Sequence, residues 1–143
     1  MTNAPTLQDH GAALLRISLG GLLVAHGLLK LEVFTIPGTV AFFGSIGLPP
    51  IAAYLTIFGE LAGGIAIIAG LFTRLAATLS LPILLGALWA HSGNGWVFSN
   101  PNGGWEFPAF LSLVAVVVAL QGPGAYSMSR LPLAAKLPRI VTA

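Results

Sequence analysis

Between Ile51 and Leu71 the chain reads IAAYLTIFGELAGGIAIIAGL, an apolar run broken by one ionisable residue, Glu60. A helix crossing a bilayer needs roughly 20 such residues, or about 17 at the short end. Three more runs of the same character lie at about 12–31, 75–90 and 107–121. Soluble domains carry about 25% charged residues, whereas this chain carries 7%, so no ordinary soluble surface can be built from it. The expected fold class is all-α: an integral membrane four-helix bundle in one domain over residues 1–143. A short interfacial helix is expected between the first and second spans, where Ile36-Pro37-Gly38 reads as a turn and Thr39–Ile46 as the helix. Residues 92–104 (SGNGWVFSNPNGG) read as a loop, and residues 125–143 as an interfacial tail carrying Arg130, Lys136 and Arg139.

Charge placement fixes an expected orientation. Arg16, Arg74, Arg130, Lys136 and Arg139 gather near one set of helix ends and only Lys30 near the other, so both termini are expected in the cytoplasm. Six basic residues and a net charge of +2 are thereby accounted for by topology, without nucleic acid. Met1–Asp9 has no basic region of the kind that opens a secretory signal. The first and third runs each begin near an arginine and end with a histidine (Arg16 and His26, Arg74 and His91), and the run after each carries a glutamate, Glu60 and Glu106. That is a faint internal echo. If it is a repeat, its axis lies along the membrane normal.

A carboxylate at mid-bilayer costs about 2.5–3.5 kcal/mol on insertion scales, so a chain that keeps one pairs it, protonates it or uses it. At about 100° per residue, Arg16, Gly20, Leu23, His26, Gly27 and Lys30 share one face, and Thr56, Glu60, Gly63, Gly64 and Ile67 another. Counted from the run ends, His26, Lys30, Glu60, His91 and Glu106 form a funnel open to the outer side, deepest at Glu60. Two readings of Glu60 stand side by side: a structural carboxylate holding helix register against His26 or Lys30, and a proton-exchanging acid. Lys30 has a plain alternative in snorkelling to headgroups. Gly59 and Gly63 make a small-xxx-small pair that permits close approach or dimerisation. Pro82 is expected to kink or loosen the third helix.

The absence of cysteine removes disulfides, cysteine-ligated iron–sulfur clusters and covalent haem. No H-x3-H or E-x-x-H spacing sets two metal ligands on one helix. His26 and His91 differ in depth by several residues, which disfavours a bis-histidine haem. Neither metal, haem, flavin nor iron–sulfur cluster is therefore expected in this chain.

Several short motifs occur in order: Leu14-Leu15-Arg16, His26-Gly27-Leu28-Leu29-Lys30-Leu31, Phe42-Phe43-Gly44-Ser45-Ile46-Gly47-Leu48-Pro49, Glu60-Leu61-Ala62-Gly63-Gly64, Gly70-Leu71-Phe72-Thr73-Arg74 and Gly103-Gly104-Trp105-Glu106-Phe107-Pro108. Together they resemble the DoxX family over about residues 12–129, with Trp105 standing where the family often has tyrosine. The resemblance implies a four-helix protein of the bacterial inner membrane whose relatives are described as quinol oxidase subunits, thiosulfate:quinone oxidoreductase membrane subunits or oxidoreductases. Quinone then becomes the expected substrate. Glu60 and His26 are expected to exchange protons, Lys30 or His91 to bond a quinone carbonyl, and Trp105, Phe107, Phe42 and Phe43 to wall the ring, with Glu106 at the mouth. Electrons would have to come from elsewhere, from a periplasmic redox partner docking on residues 92–104. The alternatives are a non-catalytic binder or transporter of a small apolar or protonatable molecule, and a membrane anchor for a partner.

Overall fold

The computed structural model describes residues 4–130, and among these every regular element is helical. Helix α1, Leu7–Val33, starts ahead of the apolar run because Thr6 and Asp9 form a capping box. The Thr6 hydroxyl accepts from the Asp9 N–H at 3.2 Å, and the Asp9 carboxylate accepts from the Thr6 N–H at 2.9 Å. Its last turn, Leu29–Val33, is a π turn closed by the Phe34 N–H on the Leu29 carbonyl at 2.9 Å.

Helix α2, Ile36–Ser45, is the expected short helix, with one correction. Ile36-Pro37-Gly38 is not a turn before it but its first turn, capped by the Thr35 hydroxyl on the Gly38 N–H at 3.3 Å. Proline is at home there because its missing N–H has no helical partner to lose. Helix α3, Pro50–Ala69, contains a second π turn at Gly59–Gly63 and stops at Gly70, whose φ of 72° is a left-handed C-terminal cap. Helix α4, Thr73–His91, runs through Pro82 without a break, and α5, Glu106–Gln121, follows the loop.

Helices α1, α3 and α4 are long and apolar enough to cross a membrane. Helix α5 has 16 residues, about 24 Å at 1.5 Å per residue. It packs along α4 and also touches α1, while α3 lies most extensively against α1 and also against α4. Leu19, Leu23, Ile67, Ala77, Leu84, Ala115 and Val118 fill the centre. Leu14, Phe58, Leu79, Leu113 and Leu120 point outward, as lipid-facing side chains do.

Lipid is as apolar as leucine, so helices in a membrane associate through tight packing and small residues. The small pair that brings α1 against α3 is Gly20 with Gly64: a Cβ on either would stand 2.7–2.8 Å from the other's carbonyl oxygen. Gly59 and Gly63 do not make that contact. Gly59 lies under Ile83 of α4, and a Cβ at Gly63 would meet nothing within 4 Å.

The end of the bundle near Arg16 is closed by arginines on backbone carbonyls. Arg16 is 0% exposed, and its guanidinium donates to Pro123 O at 2.8 Å, Ile67 O at 2.9 Å, Ala125 O at 3.1 Å, Tyr126 O at 3.4 Å and Ile68 O. It thus satisfies the C-terminal carbonyls of α3 and the segment that returns over them. Arg74 treats α5 likewise, donating to Ala119 O at 2.9 Å, Leu120 O at 2.7 Å and Gln121 O at 3.5 Å. Both arginines, read from sequence as topology signals, are helix-end caps. The tail expected to lie at the interface instead packs inward at its start: Ala125 and Ser127 are buried, the Ala125 N–H donates to Asp9 O at 2.9 Å, and Ser127 Oγ donates to Gly70 O at 2.7 Å. Lys136 and Arg139 lie outside the described residues.

Candidate functional site

Each of the two π turns presents one charge, and the two charges meet across the α1–α3 contact. Lys30, on the π turn of α1, donates from Nζ to Glu60 Oε1, on the π turn of α3, at 2.8 Å. A π turn inserts a residue into the ladder without adding a turn, which re-aims the side chains around it and is frequent at functional sites. Gly27 makes room for the approach: a Cβ there would stand 2.7 Å from the Leu61 side chain and 3.3 Å from Glu60 Cβ. The Lys30 end is pinned from outside by Thr39 of α2, whose hydroxyl lies 3.3 Å from Lys30 O and 2.9 Å from Thr35 O.

Glu60 is 5% exposed, and its second oxygen, Oε2, is buried with no hydrogen-bond partner. An orphaned carboxylate oxygen in a low-dielectric setting is costly, so a donor from a ligand or a water is the natural complement. Lys30 is the less buried member, with 17% of its side chain exposed. His26 is one turn before Lys30 on the same helix. Its Nδ1–H donates to Leu22 O at 2.8 Å, so a neutral ring carries its lone pair on Nε2. The His26 ring stacks on Phe107 of α5 at 6.1 Å and 28°, and Phe98 of the loop backs Phe107 at 6.0 Å.

The other expected site residues are placed elsewhere. His91 Nδ1 bonds Asn102 O at 3.0 Å and Gly103 O at 3.1 Å, and the Asn94 amide donates to the same two carbonyls. Glu106 Oε1 accepts from the Phe98 N–H at 2.8 Å. Trp105 stands edge-on to Trp96 at 4.5 Å. These three residues hold residues 92–105 in shape. Phe42 is half out on α2, edge-on to Phe43 at 6.2 Å. The structure therefore joins Lys30 to Glu60 and His26 to Phe107, and gives His91, Glu106 and Trp105 partners within the loop. Among the described residues no three His, Asp or Glu side chains converge as a metal site.

Sequence reasoning missed both π turns, the Thr39 tie and Phe98. A signal for one π turn was present, because Gly59 and Gly63 bracket Glu60. Thr39 carried none, since its partner is a backbone carbonyl nine residues earlier.

A helical protein with three membrane-length apolar helices and a partly buried Lys–Glu pair between two of them is the class that fold and site define. The chain belongs to the DoxX family, whose pattern matches residues 11–93. It is 37% identical over 112 residues to "Putative oxidoreductase CatD" of Bacillus subtilis (strain 168), covering 78% of this chain and 79% of that one. It is 31% identical over 128 residues to the inner membrane protein YqjF of Escherichia coli (strain K12), covering 87% and 94%. To the inner membrane protein YphA of the same organism it is 29% identical over 136 residues, covering 85% and 94%. No solved structure matches the chain.

Proposed function

We propose that this protein is the membrane subunit of a quinone-linked oxidoreductase, with a quinone and proton-exchange site at Glu60. The observation that carries the reading is the buried, unpartnered Oε2 of Glu60 beside an oxygen already held by Lys30. A hydroquinone hydroxyl is a neutral donor that fits this oxygen, and its proton passes to a base positioned within hydrogen-bond reach. Lys30 holds the other carboxylate oxygen still. Phe107, stacked on His26, gives an aromatic face for the ring, and His26 Nε2 is the second proton acceptor. Quinol oxidation releases two protons with two electrons, and reduction consumes the same. The protons move through Glu60 and His26. The electrons pass to or from a partner protein bearing a redox centre, docked on the loop of residues 92–105, where Trp96, Val97 and Phe98 are exposed.

The names of CatD and of the two inner membrane proteins support an oxidoreductase role and an inner-membrane location. In that setting α5 completes the bundle as a fourth span, both termini are cytoplasmic, and the Lys30 end faces the periplasm.

The test is titration of a soluble benzoquinone and its hydroquinone into the purified protein, followed by calorimetry. Wild type is expected to bind the hydroquinone, and Glu60→Gln to lose at least tenfold in affinity with its fold intact by circular dichroism. Equal affinity in the two proteins overturns the assignment.

A further inference from the structure

A second feature lies on the far side of the same π turn. Between α3 and α4 a groove of about 250 Å³ is lined by Phe58, Gly59, Ala62, Gly63, Phe72 and Leu79, among others. The hydroxyl in its lining is that of Ser80, which already donates to Ala77 O at 2.7 Å. The groove therefore asks for no hydrogen bond. It lies within two membrane-length helices, so hydrocarbon and not water is its medium.

Its position relative to Glu60 is specific. Gly59 and Gly63 sit roughly 60–110° round the helix from Glu60, both on the same flank. The surface of α3 between the Glu60 face and the groove is thus built from residues without side chains. Gly63 is open, with nothing within 4 Å of where its Cβ would be, and Gly59 is covered only by the end of the Ile83 side chain. A helix from a second copy is a poor occupant. With side chains it measures about 10–12 Å across, and the groove is rimmed by Phe58, 70% exposed, and Leu79, 61% exposed. A single hydrocarbon chain is far slimmer than that.

Resting on the quinone reading above, we infer that this groove holds the hydrocarbon tail of the quinone whose ring binds at Glu60, making the protein selective for membrane quinones over tailless ones. The ring sits between α1, α3 and Phe107, the tail crosses the glycine flank of the π turn, and it runs along α3 toward Phe72.

The test uses the full chain in nanodiscs and two probes, a benzoquinone bearing a ten-carbon chain and the same ring with no chain. Wild type is expected to bind the chain-bearing probe at least tenfold more tightly after correction for its partitioning into lipid. Gly63→Leu and Ala62→Phe, which project into open space, are expected to erase that advantage while the tailless probe loses no more than twofold. A tail advantage that survives both substitutions overturns the inference, as does its absence from wild type. Loss of a dimer in Gly63→Leu on cross-linking, with the tail advantage kept, makes the groove an interface between copies and also overturns it. Failure of the parent reading looks different: the tailless probe then binds wild type and Glu60→Gln alike, or binds neither.

Discussion

Arg16 and Glu60 are both charges buried in an apolar bundle, and they are treated in opposite ways. The Arg16 guanidinium is spent on the backbone, with each of its nitrogens donating to carbonyls of α3 or of the segment after α5. Glu60 has one oxygen engaged by Lys30 and the other engaged by nothing. A charge kept for architecture is saturated, because every unmet bond in a low-dielectric interior costs stability. On the function proposed above, Glu60 holds back a valence for a ligand that comes and goes. The contrast extends to the helices themselves: the α3 C-terminus at Arg16 ends on an ordinary glycine cap, whereas Glu60 sits on one π turn and its partner Lys30 on another.

The comparison is broken most forcefully at Arg16. Arg16→Met takes a donor from each of the carbonyls of Ile67, Ile68, Pro123 and Ala125, a loss expected at about 3–5 kcal/mol. It should show as a protein that aggregates on size-exclusion chromatography or melts far below wild type. A monodisperse Arg16→Met protein of unchanged melting temperature would remove the structural half of the contrast. Lys30→Met comes next, at about 2 kcal/mol, since it strips Glu60 of its remaining partner. Adding Glu60→Gln to Lys30→Met should recover most of that loss. A double-mutant cycle on thermal unfolding measures the coupling, and a coupling near zero would mean the pair holds nothing together.

Glu60→Gln alone is expected to change stability by less than about 1 kcal/mol, because the amide oxygen still accepts from Lys30. Its effect should fall on ligand affinity instead, which is the separation that distinguishes a site from a strut. Arg74→Ala is the mildest, within about 0.3–1 kcal/mol, the usual worth of a cation at a helix C-terminus. Arg74 is exposed where Arg16 is buried, so the two substitutions compare the same cap with and without water.

Much of this arrangement was legible in the sequence. The face carrying Arg16, Gly20, Leu23 and Gly27 is the buried face of α1, and Glu60, Gly64 and Ile67 lie on the buried face of α3. Helical periodicity and the cost of a membrane carboxylate are local properties, and they set Glu60 against the face of α1 that carries His26 and Lys30 without choosing between the two; the structure chooses Lys30. The π turns escaped because a count at 100° per residue presumes an unbroken ladder. Thr56 and Gly63 accordingly sit half-buried at the edge of the face, and Ala53 and Ile57 share its centre. His91 and Glu106 were placed by depth alone. Depth does not reveal that a loop rich in glycine and asparagine folds back to offer carbonyls and an N–H to both. Arg16 fitted the positive-inside pattern, and its backbone partners, 51 and more residues away, had no signature in sequence. The echo between halves is repeated at the level of contacts, with Arg16 capping α3 and Arg74 capping α5, but only the first half pairs a lysine with its glutamate.

The central claim, that the free oxygen of Glu60 receives a proton-bearing ligand, is tested most directly by infrared difference spectroscopy. A benzoquinone bound to the protein in nanodiscs is reduced electrochemically, and the carboxyl-stretch region is compared in wild type and Glu60→Gln. The expected result is a carboxyl band that shifts with reduction in wild type and is missing from the variant. Identical difference spectra in the two proteins would contradict the claim and leave Glu60 a partner for Lys30 alone.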